Sequence, residues 1–127
     1  MKRALKRWWV YMAAVPLANG ISAFRIGRSC DISATISALN EASPIQIAQV
    51  SAISVGSNRF ALAAEAQLLR ELAGYRRHGN WVRVTTNAEA DKKAMAAAMN
   101  GIAELVIPAN EGGEVGWHTL KTLKPLR

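Results

Sequence analysis

Hydrophobic and polar positions change period several times along the chain, and each change marks an element. "RWWVYMAAVP" (residues 7–16) is aromatic and aliphatic enough for a strand, and "LANG" after it reads as a hairpin turn. "ISAFRIGRS" alternates Phe24 and Ile26 with Arg25 and Gly27, which predicts a second strand. Asp31 or Ser33 then caps a short helix to about Asn40, and "NEASP" breaks it. "IQIAQVSAIS" alternates Ile45 and Ile47 with polar neighbours as a third strand, closed by "VGSN".

The helical period takes over from about Asn58 to Arg77, with "HGN" as the stop, followed by a short extended "WVRV". Thr86 and Glu89 form a capping box for a last helix through about Val106, and Pro108 ends it. The order β-β-α-β-α-(β)-α predicts an α+β domain over 1–108. Residues 109–127 are glycine-rich, then basic, and read as an appended tail with Trp117 as its one anchor.

One position breaks the helical pattern. Ala61, Leu62, Leu68, Leu69 and Leu72 share a face at 100° per residue, and Glu65 falls in the middle of that stripe. Burying an unpaired carboxylate costs several kcal/mol, so either the helix is rotated or Glu65 has a partner, a metal ion or an arginine. Arg25 from the second strand is one such arginine.

Composition narrows the class. Half of the 127 residues are hydrophobic and a fifth are charged, the profile of a folded domain. Cys30 is the single cysteine, which excludes an internal disulfide and any CxxC motif and favours a reducing, cytoplasmic setting. Sixteen Lys and Arg against nine Asp and Glu leave a net charge of +7, pointing to a polyanionic partner, nucleic acid before a membrane. Residues 1–30 carry Lys2, Arg3, Lys6, Arg7, Arg25 and Arg28 with no acid. The basic start followed by an apolar run has the outline of a secretory signal, but the run is too short to span a bilayer. Trp8, Trp9 and Pro16 suit a first strand and turn better.

The chain contains no Walker A, GxGxxG, HExxH or GxSxG motif, and His78 and His118 lie too far apart in sequence for a local metal pair. What remains is Tyr11 in the first strand, Arg25 and Arg28 flanking Gly27 in the second, and Glu65. A phenol to orient water, guanidinium groups to bind phosphate and a carboxylate to hold one divalent cation make a kit for phosphodiester hydrolysis. The same residues read structurally as a packed strand aromatic, solvated arginines and an ion-paired acid.

The blocks "FRIGRSCD", Glu65 and "AGYRRHGNWVRV" resemble the GIY-YIG nuclease superfamily in its phage and bacterial branch. The likeness covers about residues 9–84 and is strongest in "RIGRS" and "YRRHGNW", with Glu65 ten residues before Tyr75. It implies a small three-stranded antiparallel sheet flanked by helices, with Tyr11, the "RIG" strand and Glu65 converging on one surface. By the same resemblance Tyr11 is the first triad's tyrosine, Arg25 stands at the second triad's tyrosine, and Glu65 is the ligand of Mg²⁺ or Mn²⁺. Trp9 replaces the first triad's glycine, Thr35 the catalytic arginine, Leu69 a frequent histidine, and Asn80 the acid of the closing block. Losing one charge-stabilising donor costs on the order of 10²–10³ in rate. Arg28 is the available replacement, but strand alternation aims it away from the site.

Three functions are therefore expected in competition. The first is a phage- or mobile-element-type DNA-binding protein with weakened or lost cleavage, using Arg76, Arg77, Arg83, Lys121 and Lys124 on phosphates. The second is an active Mg²⁺- or Mn²⁺-dependent endonuclease with Tyr11, Arg25, Arg28 and Glu65 in the site. The third is a module that binds a protein partner, such as an inhibitor of a nucleic-acid enzyme.

Overall fold

The core is built outward from β1 (Trp8–Pro16), which pairs antiparallel with both β2 (Ile21–Ser29) and β3 (Gln49–Gly56). The computed structural model describes residues 7–17, 20–42, 47, 49–85, 88–106 and 117–121, with backbone alone at 106 and 118–121. Beyond the central trio lie β5 (Trp81–Thr85), β4 (Arg76–His78) and β6 (Trp117–Lys121), giving an antiparallel six-stranded sheet in the order β4-β5-β2-β1-β3-β6. The class is α+β as expected, but the sheet is twice as wide as the expected three strands. The helices are α1 (Ile32–Ala42), α2 (Asn58–Glu71) and α3 (Glu89–Val106). Among the described residues no helix is long and apolar enough to cross a membrane.

Strand alternation divides the side chains between two faces. Val10 and Met12 of β1, Ile26 of β2, Ile53 and Val55 of β3 and Val82 of β5 join Ala61, Ala64, Leu68 and Leu72, with Ala98 and Ile102 of α3, in one buried cluster. Tyr11, Ala13 and Val15 of β1 and Val50 and Ala52 of β3 join Ile36 of α1 and Ile47 in the other. The sheet is thus a septum between an α2–α3 side and an α1 side.

The helix boundaries follow local chemistry. The Asp31 Oδ1 accepts from the Ala34 N–H at 3.1 Å, so Asp31 caps α1. Ser57 caps α2 by accepting from the Phe60 N–H at 3.3 Å. Ser57→Ala is expected to cost about 1 kcal/mol in a denaturant melt; an unchanged midpoint would contradict the cap.

Four expectations are corrected. The helix expected to reach Arg77 ends at Glu71: Leu72, still on the inward face and buried in the core, is followed by a short 3₁₀ turn at Ala73–Tyr75 that leads into β4. Arg76–His78 then folds back on β5 as a hairpin, with Gly79 at φ 55°, a backbone that glycine adopts without steric cost. The apolar stripe of α2 is rotated, so that Leu62 is 53% exposed. The tail is not merely anchored by Trp117, since Trp117–Lys121 pairs with Gln49–Ile53 as β6 while the Trp117 indole N–H donates to the Met99 carbonyl at 2.8 Å. Strand β3 begins at Gln49, after a buried Ile47; Ile45, Thr86, Pro108 and Lys124 lie outside the described residues, as does the Lys121 side chain.

Candidate functional site

The acid in the apolar stripe is buried and its charge is answered locally. Residues Ala61, Ala64, Glu65 and Leu68 form the inward face of α2, which packs over β1, β2 and β3. Arg28 lies on the same side of the sheet, opposite Val10 in register. Its Nη1 donates to Glu65 Oε1 at 2.5 Å, and its Nε donates to Asn58 Oδ1 at 3.1 Å in the first turn of α2. The second carboxylate oxygen accepts from Asn80 Nδ2 at 3.0 Å. Asn80 sits in the β4–β5 turn, where its carbonyl also accepts from the Ile26 N–H at 2.9 Å. The carboxylate thereby ties the middle of α2 to the end of β2 and the hairpin turn, and Arg28 adds the start of α2.

The reach of Arg28 corrects the expectation that alternation aims it away from Glu65. It is Arg25 and Tyr11 that are turned away. Tyr11 stands opposite Gly27 on the α1 side and is 3% exposed within that side's cluster. A side chain at Gly27 would meet the Tyr11 hydroxyl and ring, so the missing Cβ is what lets the phenol lie across the strand. Arg25, also on the α1 side, is half-buried opposite Ala13 and Trp81, and its Nε is buried with no hydrogen-bond partner among the described residues. The expected convergence of Tyr11, Arg25 and Glu65 therefore does not occur, because the sheet stands between Glu65 and the other two. Of the candidates Tyr11, Arg25, Arg28 and Glu65, the structure joins Arg28 to Glu65.

The departures from the nuclease pattern have defined places. Thr35 Oγ1 and Ser29 Oγ lie 2.7 Å apart, joining α1 to β2 on the Tyr11 side. Leu69 packs half-buried against the α2–α3 core. Asn80 supplies an amide donor where an acid would repel Glu65. Asn58 and Asn80 are the members of the network that motif reading passed over; the only sequence signal was an amide at Asn80 in a position where the resemblance expects a carboxylate.

The donor set does not suit a divalent cation. Hard cations take oxygen ligands, and Mg²⁺ keeps waters around one or two free carboxylates. Both Glu65 oxygens already accept N–H donors, one of them from a guanidinium whose positive charge opposes a second cation. Among the described residues no group of three His, Cys, Asp or Glu gathers to hold a metal ion.

A second basic region surrounds the β4–β5 hairpin. Arg76, Arg77 and Arg83 are exposed, as is His78. Arg76 Nε donates to the Gly79 carbonyl at 2.6 Å, which closes the turn. Among the described residues the ion pairs are Arg28–Glu65 and Lys92–Glu89, so these hairpin arginines have no carboxylate partner there. Behind the hairpin, burial and then the neighbouring Asp91 carboxylate push the Tyr75 phenol above its ordinary range. Asp91 also accepts from the Thr85 N–H at 2.7 Å, joining α3 to the end of β5. Compared with protein-family models, curated proteins and solved structures, the chain matches none.

Proposed function

We propose that this domain binds DNA through its phosphate backbone on a GIY-YIG-like scaffold and does not cut it. The carrying observation is the contrast between two sets of arginines. Arg28 is neutralised by Glu65, whereas Arg76, Arg77 and Arg83 are exposed without a described carboxylate partner. Exposed guanidinium groups on a short hairpin, in a chain of net charge +7, suit a polyanion whose phosphates accept bidentate hydrogen bonds. Lack of cleavage follows from the same contrast: the carboxylate is held by N–H donors, and the phenol lies on the other side of the sheet.

Duplex binding by the intact chain is expected to weaken steeply with salt. Arg76→Ala/Arg77→Ala is expected to lower affinity about tenfold near physiological ionic strength and to reduce the log–log salt slope by about 2. No binding at low salt, or an unchanged slope in the double variant, would contradict the proposal. Supercoiled plasmid with Mg²⁺ or Mn²⁺ is expected to stay intact; nicking abolished by Glu65→Ala would replace this reading with an endonuclease.

A further inference from the structure

The α1 side of the sheet is covered unevenly. The buried members of its cluster come from β1, β3, α1 and Ile47, with none from β2 or β5. On the β2–β5 half, Ala23, Arg25 and Trp81 are half-buried and Arg83 is exposed. Arg25 and Trp81 face each other in register, and Arg83 follows two residues later on the same side of β5, opposite Ala23. Cross-strand neighbours of this kind have Cβ atoms about 5 Å apart, so the indole and the Arg25 guanidinium share one patch of sheet.

The donors of this patch are open to a ligand only in part: the Arg25 Nε is itself buried, without a hydrogen-bond partner among the described residues, while the Arg25 side chain is half-buried and Arg83 is exposed. Neither Arg25 nor Arg83 has a carboxylate partner among the described residues. Trp81 packs against the α1-side core and stays half-exposed. An aromatic side chain flanked by guanidinium groups fits a ligand that is planar, rich in acceptors and negatively charged.

We propose that Trp81, Arg25 and Arg83 form a stacking platform for an unpaired base, so that the preferred ligand is single-stranded nucleic acid. The inference rests on the nucleic-acid reading above and sharpens it. One base stacks on Trp81, the half-buried Arg25 side chain donates to a base or phosphate acceptor, and Arg83 binds the neighbouring phosphate. Bases within a duplex have their ring faces already occupied by their neighbours, so a duplex uses only the phosphate contacts.

The test compares oligo(dT) of about 15 nucleotides with a hairpin duplex of equal charge at one salt concentration, using the full chain. Wild type is expected to bind the single strand about tenfold more tightly. Trp81→Leu is expected to remove that preference while leaving duplex affinity within about twofold, and Trp81→Phe, which keeps a ring, to retain most of it. Arg25→Met is expected to weaken the single strand selectively. Equal affinity for both ligands in wild type overturns the platform and leaves phosphate binding standing. So does a selective loss that is as large in Trp81→Phe as in Trp81→Leu. A chain that binds neither ligand at low salt overturns the nucleic-acid reading itself.

Discussion

Gly27→Ala is expected to destabilise the fold by about 3 kcal/mol, an unusual result for the smallest possible addition to a strand. In most strands alanine for glycine is neutral or favourable, because it restricts the unfolded chain. Here the added carbon would lie 2.5 Å from the Tyr11 hydroxyl and 2.7 Å from its ring carbon Cζ. The phenol is 3% exposed within the α1-side cluster, so moving it aside disrupts that packing. Tyr11→Phe removes only the first of those collisions, so Gly27→Ala/Tyr11→Phe is expected to remain unstable. Tyr11→Leu should cost less in the Gly27→Ala background than in wild type, giving a favourable coupling in a double-mutant cycle by denaturant unfolding. A neutral Gly27→Ala would mean that the phenol does not lie across that strand.

Breaking the Arg28–Glu65 pair is expected to be unequal from its two ends. Arg28→Met leaves a carboxylate whose side chain is 10% exposed with the Asn80 amide as its remaining donor, at a cost of about 2 kcal/mol. Glu65→Gln leaves a guanidinium that is 34% exposed and can turn to water. Glutamine also keeps an acceptor for Arg28, and Asn80 can reverse its amide to accept from the new NH₂ group. That loss is expected to stay below about 1 kcal/mol. Matched denaturant melts measure both; equal losses would show that the buried carboxylate does not depend on Arg28.

Period and turn chemistry carry the central strands, the three helices and the existence of a buried acid. The β1–β2 hairpin, α1 and α3 follow from alternation, an aspartate cap and a helical run. The hairpin of Arg76–His78 with β5 is hidden because "LAGYRRHGN" continues a helical composition, and Arg76–His78 becomes a strand only by pairing with β5. Strand β6 was hidden because "WHTLK" has little alternation of its own and becomes a strand only through the free edge of β3. At the site, local pattern identified Glu65 as needing a partner but could not choose among arginines. Arg25 and Arg28 are three residues apart in one strand, and that odd spacing places them on opposite faces. The resemblance draws Tyr11, Arg25 and Glu65 to one surface, while strand parity keeps Tyr11 and Arg25 on the α1 side, away from Glu65.

A Mn²⁺ titration of the isotope-labelled chain, followed by amide line broadening, addresses the role of Glu65 most directly. With Arg28 and Asn80 holding both carboxylate oxygens, the amides of residues 61–69 and of Asn80 are expected to keep their line widths at millimolar Mn²⁺. Selective broadening centred on Glu65 and Asn80 would show a cation bound there and would contradict the reading of this acid as an internal structural anion.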